Sequence, residues 1–299
     1  GNTISDCIFH HGSQVYHEGN GILIQKSSFN VVQHNEVANF QHCGIDVGWT
    51  WDYSPSQANH NTVAYNHVHD IGQRVLSDMA GIYFLGISPG TTCHHNVIHD
   101  VYAYHNYGHG IYADQATSQV EIHHNIVYDT TAAGWYQHFG ANNSVTNNVF
   151  ALANGGLGEL WHADLNGQGQ GQPSNFIYER NIALVSAATG PMFQSPYEGN
   201  ATFKNNLYFN ISQSTLSATF PQNNLTGSRH QTCKTTFHDW QASGQDVGSI
   251  VADPKFLDVT RRDFRLGSNS PARGLGIDSI DVSSVGPRPA SHRVSALWI

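Results

Sequence analysis

Apolar and polar positions alternate along the chain in short runs broken by Gly, Asn, Asp and His, with no 3.6-residue period of the kind a helix face requires. One decapeptide carries this pattern eight times: NTISDCIFHH (2–11), NVVQHNEVAN (30–39), NTVAYNHVHD (61–70), TTCHHNVIHD (91–100), VEIHHNIVYD (120–129), NSVTNNVFAL (143–152), FIYERNIALV (176–185) and ATFKNNLYFN (201–210). The sixth position is Asn35, Asn66, Asn96, Asn125, Asn148, Asn181 and Asn206, with Cys7 in the first copy. Copies start 23 to 33 residues apart, and a Gly followed by an apolar segment falls between them at Gly21, Gly44, Gly81, Gly110, Gly134 and Gly158. Each unit therefore holds two short β-forming segments separated by turn residues.

Units of this length made only of strands and turns exclude helical solenoids and fit one coil of a parallel β-helix, an all-β solenoid. In that fold each strand pairs with its equivalent one coil away at about 4.8 Å. Side-chain amides stacked at that spacing hydrogen-bond along the ladder and satisfy one another at an inward-facing turn. Cys7 lacks an amide, so the first coil is expected to be the weakest. From about residue 250 the rhythm stops, and DPKFLDVTRRDFRLGSNSPARGLGID (253–278) brings more charge and closely spaced Gly. The chain thus divides into coils over 1–250 and a closing segment over 251–299, expected to pack on the helix end and cover an open sheet edge. The first residues lie inside a repeat, so further coils or a leading domain are expected before it. GWTWDYSPSQ (48–57) and NGQGQGQPS (166–174) interrupt the coils as loops, the first rich enough in aromatic residues to contact a ligand.

Aligning the Gly segments gives columns. The first and third residues after Gly, such as Ile45 and Val47 or Ile82 and Phe84, form an inward apolar face. The second column (Leu23, Asp46, Tyr83, Tyr112, Tyr136, Leu160) and the fourth (Gln25, Gly48, Leu85, Asp114, His138, His162) share the outer face, because side chains alternate across a strand. That face mixes a Tyr ladder with carboxylates and imidazoles, as a groove for sugar rings would. Aromatic cross-strand pairing alone would also account for the Tyr.

Composition narrows the functional classes. The 299 residues carry only 13 Lys and Arg, unclustered, and a formal charge of −9, which argues against a nucleic-acid partner. No run approaches the roughly 20 apolar residues of a membrane span. The 20 His would reverse the net charge below about pH 6. The four Cys show no metal-binding spacing. Adjacent His pairs (His10-His11, His94-His95, His123-His124) should point to opposite faces and chelate poorly. A Ca²⁺ on the column Asp70, Asp100 and Asp129 is the one structural metal considered.

Three acids carry the candidate chemistry: Asp46, Asp78 and Asp114. Two carboxylates flanking a glycosidic bond can cleave it, one protonating the leaving oxygen and the other acting as base or nucleophile. Ladder spacing places Asp46 and Asp114 two coils apart, with Cα atoms about 12 Å distant, and favours that pair. Asp78 would join Asp114 only if the chain bends at residues 77–81.

The segments GIDVGWTWDY (44–53), LSDMAGIYFLGISPGT (76–91), GHGIYADQATS (108–118) and GWYQHFG (134–140), with the closing DPKF, DFRL and SPARGLG, resemble the right-handed parallel β-helix proteins of glycoside hydrolase family 141. The resemblance spans most of residues 20–280. It implies a secreted enzyme acting on plant cell-wall glycans, fucosidase- or xylanase-like, with Asp78 (SDMAGIY) and Asp114 (GIYADQ) as the catalytic pair and Asp46 as third candidate. Tyr83, Tyr112, Tyr136, His138, Trp49 and Trp51 would line the substrate groove; His162, on the outer face, and Arg74, close to it, are further candidates for substrate binding. The expected partner is a polysaccharide or oligosaccharide, handled by a monomer without an obligatory cofactor or metal. The alternatives are a polysaccharide lyase or uronate epimerase on the same fold, and a non-catalytic glycan-binding or structural β-helix.

Overall fold

Each decapeptide forms two strands, not one. Its fifth residue (His34, Tyr65, His95, His124, Asn147, Arg180, Asn205) takes a left-handed backbone, with φ from 53 to 55°, a conformation that Asn and His tolerate better than most residues. The chain turns a corner there, and each coil gains a third strand. The computed structural model describes residues 1–105, 107–153, 160–162, 174–186, 193–194, 199–212 and 236–292, and shows a parallel β-helix of three sheets with eight, nine and seven strands. In a representative coil, Thr62–Ala64 lies in the first sheet, His67–Ile71 in the second and Met79–Leu85 in the third. The spacer expected as a loop over 166–174 lies almost entirely outside the described residues.

Three inward ladders fill the interior: Val32, Val63, Cys93 and Ile122 from the first sheet, Val37, Val68, Ile98 and Val127 from the second, and Ile45, Ile82, Ile111 and Trp135 from the third, all almost fully buried. Burying one such side chain stabilises by about 1.5–3 kcal/mol. The recurrent Gly marks the corner where the third sheet starts against the second. A Cβ built on Gly21, Gly44, Gly81 or Gly110 would lie 2.0 to 2.5 Å from a γ-carbon of Val37, Val68, Ile98 or Val127.

The Asn column forms as expected. From Asn35 to Asn206 each amide Nδ2 donates to Oδ1 of the next Asn at 2.9 to 3.4 Å, and the ladder is fully buried. Each Oδ1 also accepts the backbone N–H of the preceding Asn, so one side chain satisfies two donors per coil. At the first coil Cys7 donates its backbone N–H to Asn35, but its thiol turns back to Ser5. At the other end Asn206 meets Ser249 and the buried Asp246. A shorter amide ladder, Asn2 to Asn30 to Asn61, stands at the first position of the decapeptide and marks the corner between the third and first sheets.

The closing segment lies elsewhere than expected. The end of the interior is covered by the short helix Phe237–Ala242, whose Trp240 packs on Phe203 and donates to Asp246 at 3.1 Å. The hairpin Phe256–Asp258 with Asp263–Leu266 instead lies on the flank of the second sheet. There Phe264 and Leu266 cover the outward Ile126, Val149, Ile182 and Leu207, and Arg262 grips Asp129 with two hydrogen bonds. The reason is the outer face of that sheet, which is apolar in these coils and needs cover. The chain then runs back past His124, His95, Tyr65 and His34 to the first coil, where Arg288 pairs bidentately with Asp6.

The adjacent His pairs also depart from expectation. Because His95 and His124 are left-handed, the rings of His94-His95 and His123-His124 converge, with Nδ1 atoms 3.0 and 2.9 Å apart, and stack from coil to coil at 4.9 and 5.0 Å. Burial and neighbouring imidazoles push His94 and His123 down to about 4 and lower His95, and burial lowers His124 as well. Asp281 opposes this at His95 and Asp278 at His124, whereas Arg180 adds to it at His124. In the unfolded chain these rings take up protons near pH 6.5. Between there and about pH 4 the unfolded state binds more protons, so stability falls as pH drops through that window. At about 1.4 kcal/mol per pKa unit, acidification from pH 7 to 4 is expected to cost a few kcal/mol through this ladder. Urea midpoints at the two pH values test it, and a His94→Gln/His123→Gln variant should lose less than the parent.

Candidate functional site

The outer face of the third sheet carries the candidate site. Strands Ile45–Gly48, Met79–Leu85, Gly108–Ala113 and Trp135–Gln137 pair in register, so Asp46, Tyr83, Tyr112 and Tyr136 form one column. The three Tyr rings follow one another at 4.7 and 4.8 Å, and all three are nearly buried. Burial and the nearby carboxylates raise all three phenols, so they remain protonated donors at neutral pH.

Asp114 follows directly on Gly108–Ala113, its backbone N–H still bonded to Phe84 across the coil, and is 3% exposed. One carboxylate oxygen accepts from the Tyr83 hydroxyl and the other lies 2.8 Å from His138 Nδ1. His138 Nε2 is buried without a hydrogen-bond partner among the described residues. Asp78 precedes Met79–Leu85 in a left-handed conformation (φ 60°), the bend that an extended chain could not supply. Unlike Asp114 it is solvent-exposed, and it accepts from the Tyr112 hydroxyl at 3.2 Å. Its pKa is raised first by desolvation and next by the negative charge of Asp114. Each acid is thus held by the Tyr of the other acid's coil.

Asp46 is set apart. The register places Tyr83 in its column one coil on, and the Tyr83 hydroxyl reaches past it to Asp114, whose charge is felt by Asp78. Fully buried beside Cys43, Asp46 is pushed up to about 8 by desolvation and accepts from Asn20 Nδ2. Asn20 in turn bonds His42 Nδ1 at 2.8 Å.

The aromatic loop borders the site. Trp49 lies 6.1 Å from both Tyr83 and Trp51, Tyr53 packs on Phe139 at 6.0 Å, and Trp51 is 55% exposed. Arg74 lies elsewhere, its guanidinium over the Tyr102 ring at 4.9 Å. The strand Leu160–His162 pairs Leu160 with Trp135 and His162 with Gln137, one position off the alignment made on Gly158. His162 therefore stands in the third column and not in that of Asp114 and His138.

Two residues went unread in the sequence. His109, fully buried and lowered to about 3, packs on Tyr112 and Tyr136 at 5.0 and 4.5 Å. Tyr107 stands where Asp78 stands one coil earlier, also left-handed (φ 58°), a correspondence visible as the third position before Gly110 and Gly81. Each Asp of the column considered for Ca²⁺ has a protein partner: Asp70 takes His69, Asp100 takes His99 and Tyr102, and Asp129 takes Arg262.

Residues 51–150 match the family described as right handed beta helix region. The matched stretch includes Asp78, Asp114 and His138. A solved structure described as a glycoside hydrolase is similar at 25% identity and a TM-score of 0.45, over 49% of this chain. The chain spans about a quarter of that protein, 25% of its length. No curated protein matches. The architecture is that of a right-handed parallel β-helix. No helix among the described residues is long and apolar enough to cross a membrane.

Proposed function

We propose that the protein is a glycoside hydrolase acting on neutral glycans of the plant cell-wall type, with Asp78 as general acid and Asp114 as base or nucleophile. The observation that carries this is the cross-linked acid pair: two carboxylates from successive coils, coupled by charge and held by the hydroxyls of Tyr112 and Tyr83. Asp78, open to solvent and with its pKa raised by desolvation and by the charge of Asp114, is the better suited of the two to carry a proton and deliver it to a leaving oxygen. Asp114, fixed by Tyr83 and His138, is suited to the opposite role. His138, oriented through Nδ1, has Nε2 left over for a sugar hydroxyl or the attacking water.

The substrate class follows from charge and shape. The side-chain contacts of both acids among the described residues come from Tyr and His, with no Lys or Arg to neutralise a uronate. The exposed Trp51 beside Trp49 offers an apolar surface on which a sugar ring can stack. An extracellular setting would suit such a substrate.

The test is a panel of plant polysaccharides and oligosaccharides incubated with purified protein, read for reducing ends and for ultraviolet absorbance. New reducing ends without absorbance are expected. An unsaturated, absorbing product would establish a lyase instead, and binding without turnover a recognition module.

A further inference from the structure

The outer face of the second sheet changes character along the solenoid. Where the C-terminal hairpin lies on it the face is apolar; one and two coils earlier it carries His67, His69 and His99. We propose that these three imidazoles form a binding site for a divalent transition-metal ion of the zinc and copper kind.

His67 and His69 stand at i and i+2 of the strand His67–Ile71, on one face, and the register sets His99 of Val97–Val101 directly beside His69. The rings of His67 and His69 are 4.3 Å apart, and His99 stacks on His69 at 5.2 Å. The Nε2 atoms of His67 and His99 approach to 2.8 Å. Two imidazole nitrogens bound to one ion at about 2.0 Å each would lie roughly 2.8 to 3.3 Å apart.

The remaining nitrogens are arranged to match. Asp100 lies 2.7 Å from His99 Nδ1 and Asp70 2.8 Å from His69 Nδ1. A carboxylate there accepts the hydrogen bond of Nδ1–H, which fixes the tautomer and leaves the Nε2 lone pair for an ion. In the free protein His67 meets the His99 lone pair by donating its own N–H. His69 Nε2 is turned toward Glu36, 3.6 Å away. Among the described residues no three His, Cys, Asp or Glu side chains converge as they stand. His67 and His99 are therefore the first two ligands, and His69 joins by turning from Glu36, with solvent completing the shell. Imidazole donors select ions such as Zn²⁺ and Cu²⁺ over Ca²⁺. An ion there would tie the strands of two successive coils together.

The test is calorimetric titration of the whole chain with Zn²⁺, with Ca²⁺ alongside, followed by thermal melts. Saturable binding of one Zn²⁺ per chain is expected, with a higher Tm in excess Zn²⁺ and no response to Ca²⁺. His67→Gln and His99→Gln should each abolish that binding, and Asp100→Asn should weaken it by about 10- to 100-fold, the usual cost of losing such a partner. His94→Gln/His123→Gln should leave it intact. Absence of Zn²⁺ binding, or binding that survives His67→Gln and His99→Gln, overturns the proposal. Should the variants fail to fold, the electron paramagnetic resonance spectrum of the parent with one equivalent of Cu²⁺ decides: coupling to imidazole nitrogen supports the site, and its absence removes it.

Discussion

Asp114→Asn is expected to lower glycan cleavage by about 10²- to 10⁴-fold, the range supplied by a positioned acid or base, without loss of the fold. Asn has the same shape, and its oxygen still accepts from Tyr83. What it cannot do is take a proton or attack a sugar carbon, and the amide gives His138 no charge to orient against. Asp78→Asn should be about as damaging on a natural glycan, yet much milder on a substrate with an activated aryl leaving group, which departs without protonation. Asp46→Asn should be much milder than either, because Asp46 is buried, uncharged at neutral pH and linked to Asp78 indirectly, through Asn20 and His42. The kcat of the three variants on both substrates checks the assignment, and full activity in Asp114→Asn would remove it from the mechanism.

The second large effect concerns stability. Asn96→Leu fills the same space but strips an interior rung, the third of seven, from the amide ladder. The backbone N–H and the Nδ2 of Asn66 lose their acceptor, and the carbonyl of Val63 loses its donor, all of them buried. Each such group left unpaired costs about 1–3 kcal/mol, so a loss of several kcal/mol is expected. Urea denaturation measures it directly. A loss under about 1 kcal/mol would mean that water or a backbone shift replaces the rung.

Much of this was legible in the chain, for identifiable reasons. The Asn and Gly columns were readable because a coil repeats its constraint at nearly constant spacing: an amide where a corner must be satisfied, and no side chain where two sheets touch. The outer Tyr column followed from strand alternation. What alternation cannot show is a left-handed residue. The bends at His95 and His124 turned their rings toward His94 and His123, and the bend at Asp78 brought its carboxylate to the Tyr112 hydroxyl, within reach of the charge of Asp114. Nor does a column state which hydroxyl meets which acid, since that depends on the length of the Tyr side chain reaching across a coil. Spacing from Gly158 sets Leu160 in the column of Tyr136, whereas the pairing sets it beside Trp135.

The ion pair between Arg288 and Asp6 joins residues 282 positions apart, and the Asp6 side chain is only 7% exposed. In an ordinary stack of repeats each rung feels only its neighbours, so the outermost rung can peel away while the rest persists. Here the coil of Asp6 cannot open until the returning C-terminal stretch lets go, and that stretch is anchored on the coils of Ile126 to Leu207. Coils far apart in the stack are thereby made one cooperative unit, and melting of these coils should approach a single step instead of a progressive unzipping.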